Sequence, residues 1–147
     1  MTLLREQILA HVEGLLAGTV QVSTRIWRSR VEALSRQEAP AIIVSPGANQ
    51  VREPDRGGRA SMCKYDHSLR VGIAVYVRGS PVDQLTAAIE EDAHQRMMAD
   101  RTFGGLVADV AYLQTTFEMD DADATAGFAL CEYLVRYRTA VDDLGSS

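Results

Sequence analysis

Cysteine, lysine and long apolar runs are scarce in this chain of 147 residues. The two cysteines, Cys63 and Cys131, lie far apart and neither belongs to a C-x-x-C, so we expect no disulfide framework and a reducing compartment. No apolar run approaches the roughly 20 residues that a membrane-spanning helix needs. The opening stretch MTLLREQILAHVEGLL carries acidic residues and no small-residue cleavage site, so it is not predicted to be a signal peptide. We therefore expect a cytoplasmic protein that does not bind membranes.

The charged residues are unusual in kind. Lys64 is the only lysine among 15 basic residues, and all the others are arginine. Guanidinium groups suit ion pairs at protein interfaces better than ammonium groups do, although a GC-rich genome produces the same bias. The net charge of −5 argues against general nucleic-acid binding, because duplex affinity comes mostly from neutralising phosphates. Hydrophobic residues make up 46% and charged residues 24%, which is the composition of an ordinary globular domain.

Two helices are predicted from the spacing of apolar residues. The first covers TLLREQILAHVEGLLAG, with Thr2 as its N-cap and Gly18 at its end. Its apolar stripe is Leu4, Ile8, Val12 and Leu15. The second covers SPVDQLTAAIEEDAHQRMMAD and begins with Ser80 as N-cap and Pro81 at its first position. Its predicted apolar stripe is Leu85, Ala88, Ile89, Ala93 and Met97.

Five strands are predicted from β-branched composition and alternation. The first runs from Val20 to Arg28, and the second is the run PAIIV, which Pro46-Gly47 ends. The other three are HSLRVGIAVYVRG, LVADVAYLQTTFEM and GFALCEYLVRYRTAV. The order α-β-β-β-α-β-β predicts an α+β fold, in which two helices pack on one face of an antiparallel or mixed sheet of about five strands.

The connections define the expected domain. We expect residues 1–141 to form a single α+β domain and residues 142–147 to be a loose tail. Residues 48–66 have no usable period, so they are predicted to form a long mobile loop, and loops of that length are usually functional or mobile. This loop is locally basic, because it carries Arg52, Arg56, Arg59 and Lys64 against Glu53 and Asp55.

The stretch EMDDADATAG concentrates four carboxylates in six positions. Asp121, Asp123 and Thr125 alternate as in a calcium loop, and Glu132 falls at the closing position of a twelve-residue loop. The sixth position of such a loop requires Gly, but Ala126 occupies it, and the flanking segments alternate like strands. We therefore predict a solvated hairpin connection without a metal site.

No established catalytic motif is present. Cys63 and His67 are four residues apart, but a metal or nucleophilic site would need further ligands or an orienting group. His11 and His94 lie on predicted helices with no motif around them. The sequence contains no G-x-S-x-G, H-E-x-x-H, G-x-x-x-x-G-K-[ST] or G-x-G-x-x-G. We expect no enzyme activity and no cofactor.

In RIWRSRV, three arginines bracket one aromatic residue: Arg25, Arg28 and Arg30 surround Trp27. Two interpretations remain open. One is an interface strand on which the arginines and the aromatic ring bind a partner. The other is a sheet edge that arginine keeps soluble.

The order of segments is more informative than any single site. An amphipathic helix leads to PAIIV, a long loop and HSLRVGIAVYVRG. A helix with D-x-L-x-x-x-I-E at Asp83 to Glu90 follows, then D-R-T-F-G-G-L at Asp100 to Leu106 and a strand with TTFE. From Leu4 to Ala140, this order resembles the tail terminator family (minor tail or tail completion proteins) of long-tailed bacteriophages and related phage-derived particles. These motifs reflect the fold and carry no chemistry of their own.

The resemblance implies a structural protein that forms a hexameric ring on the finished tail tube, stops tube polymerisation and offers a surface to the head connector. Its partners would be copies of itself, the tail tube protein and a connector or neck protein, without specific nucleic-acid binding. It would be assembled in the host cytoplasm and located at the head-proximal end of the tail in the virion.

A heterologous ring needs two different complementary patches on each subunit. Candidates for one side of the subunit contact are Arg25, Trp27, Arg28 and Arg30. Candidates for the other side are Glu90 and Glu91, or the acidic stretch from Glu118 to Asp123. Candidates for the contact with the tube or connector are Arg52, Arg56, Arg59 and Lys64.

Two alternatives stay open. The first is another phage neck or head–tail joining protein. The second is a small α+β enzyme or ligand-binding module whose site is built from Cys63, His67 and His94.

Overall fold

The computed structural model describes residues 2–30, 38–53, 64–79, 81–120 and 123–145. Two helices are present, α1 at Leu4–Leu16 and α2 at Val82–Met98. The strands are β1 at Ile26–Arg28, β2 at Ala41–Arg52, β3 at Lys64–Arg78, β4 at Asp109–Asp120 and β5 at Asp123–Ala140. The predicted α+β class and the order α-β-β-β-α-β-β are confirmed.

The strands form one five-stranded sheet in the order β1-β2-β3-β5-β4. β1 pairs with β2 in parallel, and the other three pairs are antiparallel, so the sheet is mixed. At the centre, Ile73 of β3 lies between Val44 of β2 and Cys131 of β5. The two edges of the sheet are therefore formed by different segments, β1 with the end of β2 on one side and β4 on the other.

The core lies between the helices and one face of the sheet. Alternation in β3 predicts this face, and its five aliphatic residues are all buried: Leu69, Val71, Ile73, Val75 and Val77. They pack with Ile8, Val12 and Leu16 of α1 and with Ile89, Ala93 and Met97 of α2. Each large aliphatic side chain removed from water stabilises the fold by about 1.5–3 kcal/mol, so this face holds the helices in place.

The helix ends differ from the predicted ones. Thr2 is not the N-cap of α1, because the helix begins after Leu3 and no side chain caps it. α2 begins after Pro81, and the predicted cap Ser80 lies outside the described residues. The end of α1 is as expected, since Gly18 has a φ of +89°, a conformation that glycine adopts without strain.

In both helices, some of the buried residues lie one position away from the predicted apolar stripe. In α1, Leu16 is buried and Leu15 only partly so. In α2, the predicted stripe is wrong at Leu85 and Ala88, which are exposed. The buried residues of α2 are Val82, Thr86, Ile89, Ala93 and Met97. Both sets follow helical spacing, so only packing on the sheet decides which stripe faces inward.

The predicted first strand is too long. Of Val20 to Arg28, only Ile26–Arg28 forms β1. The preceding residues form turns, with positive φ at Gln21 and Ser23 that an extended strand does not allow. The amide of Val20 donates to Asp92 Oδ2 at 2.8 Å, so α2 holds this turn in place.

The predicted loop 48–66 is wrong at both ends. β2 does not stop at Pro46-Gly47 but continues to Arg52, with a register shift between Pro46 and Asn49. Such a bulge accommodates a proline that cannot donate to the ladder. β3 already begins at Lys64, and residues 54–63 lie outside the described part of the chain.

The acidic stretch is a hairpin connection, as predicted. β4 ends at Asp120 and β5 begins at Asp123, and these two residues pair across the hairpin. The predicted loose tail is wrong as far as Gly145, because the amide of Leu4 donates to the carbonyl of Leu144 at 2.8 Å. The side-chain amide of Gln7 donates to the Gly145 carbonyl at 3.3 Å. The C-terminal segment is therefore joined to the start of α1.

Candidate interaction surfaces at the sheet edges

The arginines of the β1 region bind groups of this chain. The guanidinium of Arg28 lies 3.1 Å from the carboxylate of Glu6 and 3.3 Å from that of Glu13, both on α1. Arg25 donates through Nε to the carbonyl of Pro40 at 2.8 Å. These bonds attach β1 to the helix layer and to the start of β2, so both arginines have a structural role at this edge.

Arg30 is held in the same way. It makes two hydrogen bonds to Glu38, at 2.6 and 3.0 Å, and its guanidinium carbon lies 4.7 Å from the centre of the Trp27 ring. The stacked pair lies at the end of β1, the edge strand. The structure thus places the four predicted residues at the sheet edge opposite Glu90 and Glu91, and their part in a subunit contact remains a prediction.

A groove of about 210 Å³ lies between α2 and β4 at the other edge. We call it the α2–β4 groove, and its lining is Glu90, Glu91, His94, Tyr112, Thr115, Cys131 and Tyr133. The Glu90 carboxylate accepts a hydrogen bond from the Thr86 hydroxyl at 2.7 Å. Glu91 is exposed and has no ion pair within the described part of the chain. The groove therefore presents one engaged and one available carboxylate.

Aromatic rings form the floor of the α2–β4 groove. His94 Nδ1 lies 2.9 Å from the hydroxyl of Tyr133, and the Tyr112 ring is 5.1 Å from the His94 ring and 5.4 Å from the Tyr133 ring. Burial raises the pKa of Tyr133, and it raises the pKa of the Cys131 thiol to about 11. Cys131 is therefore a neutral thiol at physiological pH, and a neutral thiol is a poor nucleophile.

β4 carries a row of exposed apolar side chains next to this groove. Tyr112, Phe117 and Met119 lie on the helix-bearing side and are 47%, 52% and 52% exposed. α2 packs over β3 and β5 and covers β4 less. Isolated exposed apolar residues are ordinary, but several along one open edge strand form a patch of the kind that binds a partner. We call these three residues the β4 stripe.

The opposite edge is open beyond the short β1. β1 covers only Ile42 to Val44 of β2, so none of the described strands lies on the outer side of β2 from Ser45 to Arg52. Beside it lies an open groove of about 640 Å³ between α1 and β2. This α1–β2 groove is lined by Arg5, Glu6, Pro46, Gly47, Asn49, Val51, Tyr65, His67 and Leu144.

Two basic side chains, Arg5 and Arg52, lie at this second edge, and a third, Lys64, lies at the neighbouring end of the central strand β3. Arg5 makes no ion pair among the described residues. Arg52 is exposed at the end of β2, and Lys64 is the first residue of β3. The structure therefore brings together two of the four residues predicted to contact the tail tube, while Arg56 and Arg59 lie outside the described residues.

His67 is buried beneath the α1–β2 groove and belongs to a polar network. Its Nδ1 lies 3.2 Å from the Asn49 amide and its Nε2 lies 2.8 Å from the Thr139 hydroxyl. Its ring stacks on Tyr137 with centres 4.4 Å apart, and the Tyr137 hydroxyl donates to Asn49 at 3.3 Å. Burial lowers the pKa of His67, which keeps the ring neutral. Both ring nitrogens are occupied, so the residue stabilises the fold.

The hypothesis of a site built from Cys63, His67 and His94 has no support in this arrangement. His67 lies beneath the α1–β2 groove and His94 in the α2–β4 groove, at opposite edges of the sheet. Cys63 lies outside the described residues. Within the described residues, no group of three or more His, Cys, Asp or Glu side chains is arranged to hold a metal ion.

Sequence reasoning missed the β4 stripe and Arg5. The alternation in AYLQTTFEM marks one face of a strand, and such a face is normally core. Only the strand order shows that β4 is an edge strand and that α2 leaves this face open. From the sequence alone, Arg5 cannot be distinguished from other solvated helix residues. Only the fold shows that it lies beside the open end of β2.

The comparisons with known proteins yield a likeness of fold. No protein-family model matches the chain. No curated protein matches it either. Among solved structures, the chain is similar to a component of the virion of a native gene transfer agent (GTA) particle, with 12% sequence identity and a TM-score of 0.45. The similarity covers 93% of this chain and 92% of the other. At this level of similarity, the function has to be argued from the chain's own residues.

No described helix has the length and apolar character needed to cross a membrane.

Proposed function

We propose that this chain is a structural protein of a phage-like virion, whose copies associate head to tail into a ring at the end of the tail tube. The ring would end tube polymerisation and provide the surface for head–tail joining. The order of segments in the sequence supports this function. The observation that carries it is that the sheet ends in two unlike open edges, one apolar and acidic and the other basic.

Two unlike edges favour a ring over a symmetric dimer. A two-fold dimer brings identical patches together, whereas a head-to-tail contact needs two different complementary ones, and its repetition forms a ring when the rotation between copies closes and an open filament when it does not. The β4 edge has the stripe and Glu91, and the β2 edge has Arg5 and exposed Val51. A contact between two β4 edges would bring carboxylates of the two copies together. A contact between a β4 edge and a β2 edge pairs opposite charges.

We assign the contact with the tail tube or connector to the basic end of the β2–β3 pair. Arg52 lies directly opposite Asp66 in the ladder, but the Asp66 carboxylate is 2.7 Å from Arg138. Neither Arg52 nor Lys64 has an ion pair among the described residues, so both can bind an acidic partner. Because this end of the sheet lies beyond the residues covered by β1, it can meet another protein without disturbing the core.

Native mass spectrometry of the protein, alone and mixed with tail tube protein, tests the ring. We expect a hexamer in at least one sample, and in the mixture we expect tubes of defined length. A protein that stays monomeric or dimeric and ignores tube protein would overturn the proposal. A ring that binds a connector but leaves tube growth unchanged would favour the alternative, another neck or head–tail joining protein.

The tube contact has its own test. Arg52→Glu combined with Lys64→Glu should reduce binding to tail tubes by at least about tenfold, as expected for charges at an interface, and leave the ring mass unchanged. Arg136→Glu is the matched control, because Arg136 is exposed on β5 and carries no assigned contact. Equal tube binding by all variants would reject the assignment. Reversal of Arg28 is a poor test of β1, since it would leave Glu6 and Glu13 without their cation.

A further inference from the structure

We infer that successive copies are joined by a contact between Arg5 in the α1–β2 groove of one copy and Glu91 at the α2–β4 groove of the next, with Val51 and Leu144 packed on the β4 stripe. The inference rests on the proposed ring and names the surfaces that build it. The occupant of each groove is thus a second copy of this chain.

The position of the unpaired charges points to these two residues, because each of them lines one of the two grooves. Most described arginines lie within 4 Å of a carboxylate of their own chain: Arg28, Arg30, Arg70, Arg96, Arg101 and Arg138. Arg5 has no such partner within the described residues, and neither has Glu91. The two lie at opposite edges of the sheet and have opposite charges. A head-to-tail contact satisfies both, whereas a two-fold contact satisfies neither.

The apolar side chains of the two edges fit the same contact. Val51 is 51% exposed and Leu144 46% exposed beside Arg5. The β4 stripe lies beside Glu91 on the same helix-bearing side of the sheet. An interface with an apolar centre and charges at its rim is the usual arrangement between proteins.

The size and chemistry of the α2–β4 groove suit an arginine side chain. At about 210 Å³ it is smaller than the roughly 300–1,000 Å³ of typical small-molecule pockets. Its carboxylates accept hydrogen bonds from a guanidinium, and the half-exposed ring of Tyr112 offers a face on which the guanidinium can stack.

Charge reversal with complementation tests the contact. Arg5→Glu places an acidic residue in the first turn of α1 and Glu91→Arg places a good helix former in α2, so both variants should fold. Each variant alone should assemble at least about tenfold more weakly than the wild type. Each variant retains one intact edge, and its altered edge matches the altered edge of the other. An equimolar mixture should therefore assemble into rings that contain both in equal amounts.

The assay is analytical ultracentrifugation or native mass spectrometry of each variant, with tube protein added if the wild type assembles only on tubes. Arg136→Glu is the control for Arg5→Glu and should assemble like the wild type. If both single variants assemble normally, or if the mixture fails to recover assembly, the Arg5–Glu91 contact is wrong and the ring itself is not contradicted. If Glu91→Arg weakens assembly but Arg5→Glu assembles like the wild type, the contact is two-fold between β4 edges and the inference is wrong. A wild type that never assembles overturns the ring and the contact together.

Discussion

The side chain of Arg96 gives the sharpest test of how the two helices are joined. It reaches from α2 to the last turn of α1 and donates to the carbonyls of Leu15 at 3.2 Å, Ala17 at 3.1 Å and Gly18 at 3.0 Å. The last turn of α1 contains no basic residue of its own. Arg96 therefore supplies both the hydrogen-bond donors and the positive charge that the end of a helix requires.

The expected loss can be estimated from these contacts. A hydrogen bond from a charged group contributes about 1.5–3 kcal/mol when it is buried. The Arg96 side chain is 34% exposed, so water replaces part of what each bond provides. For the three carbonyls together we expect Arg96→Met to lower the free energy of unfolding by roughly 2–3 kcal/mol, well below the sum of three buried bonds. Methionine keeps the apolar stem and the helix propensity of the residue.

Urea unfolding followed by circular dichroism measures this loss, at one fixed protein concentration because assembly adds to apparent stability. Arg138→Met is the matched control. This substitution removes an ion pair with Asp66 in which both side chains are about half exposed. It should therefore lower the free energy of unfolding by between about 0 and 1 kcal/mol. A loss below about 0.5 kcal/mol in Arg96→Met, or a loss equal to that of the control, would refute the capping role.

Three further predictions follow from buried positions. Gly127→Ala should lower the free energy of unfolding by about 1–3 kcal/mol in the same urea assay, because its Cβ would lie 2.7 Å from both the Glu118 carbonyl oxygen and a Val82 methyl. Because burial lowers the pKa of His67, the unfolded chain binds more protons than the folded one below about pH 6.5. The stabilising effect of His67 is thus complete above that pH and is lost as the pH falls, so the difference in unfolding free energy between the wild type and His67→Gln should narrow from pH 7 to pH 5. In a Cys63→Ser background, Cys131 should react with a disulfide reagent at least about tenfold more slowly than an ordinary thiol at pH 8, since burial raises its pKa from 9.0 to about 11 and the greater nucleophilicity of a more basic thiolate offsets only part of the lower thiolate fraction. If the difference in unfolding free energy between the wild type and His67→Gln does not change with pH, the prediction for His67 is wrong. If Cys131 of the folded protein is modified rapidly, the prediction for Cys131 is wrong.

The sequence predicts the fold where local pattern and packing agree. The alternation from Leu69 to Val77 gives β3 and its buried face correctly, because a strand at the centre of a sheet needs one continuous apolar face. Local pattern fails where a bulge or a turn decides the path. Pro46-Gly47 has the composition of a turn, but the register shift allows β2 to pass through it. β-Branched residues after Gly18 suggest a strand, yet positive φ values at Gln21 and Ser23 make it a turn.

The candidate surfaces were less predictable than the fold. Glu90 and Glu91 were recognised as an acidic face, but the groove beside them depends on His94 and Tyr112, which only the packing of α2 on the sheet brings together. The sequence predicts Arg28 to be an interface residue, but its two carboxylate partners are Glu6 and Glu13 of α1, which lie 22 and 15 residues earlier in the chain. Charge and aromatic composition identify residues suited to contacts, while topology decides whether the contact lies within a subunit or beyond it.

β4 is an edge strand whose pairing with β5 shifts register at Leu113, and this shift affects how the free chain can pair with other strands. An uninterrupted, apolar edge strand would invite uncontrolled pairing and precipitation during synthesis. The extra residue between Tyr112 and Gln114 breaks β4 into two shorter pairing segments and increases its twist, so a misaligned strand finds only a few consecutive hydrogen-bonding groups. The net charge of −5 adds repulsion between free copies. The edge whose side chains we propose to contact the next copy is thus protected against uncontrolled strand pairing through its backbone.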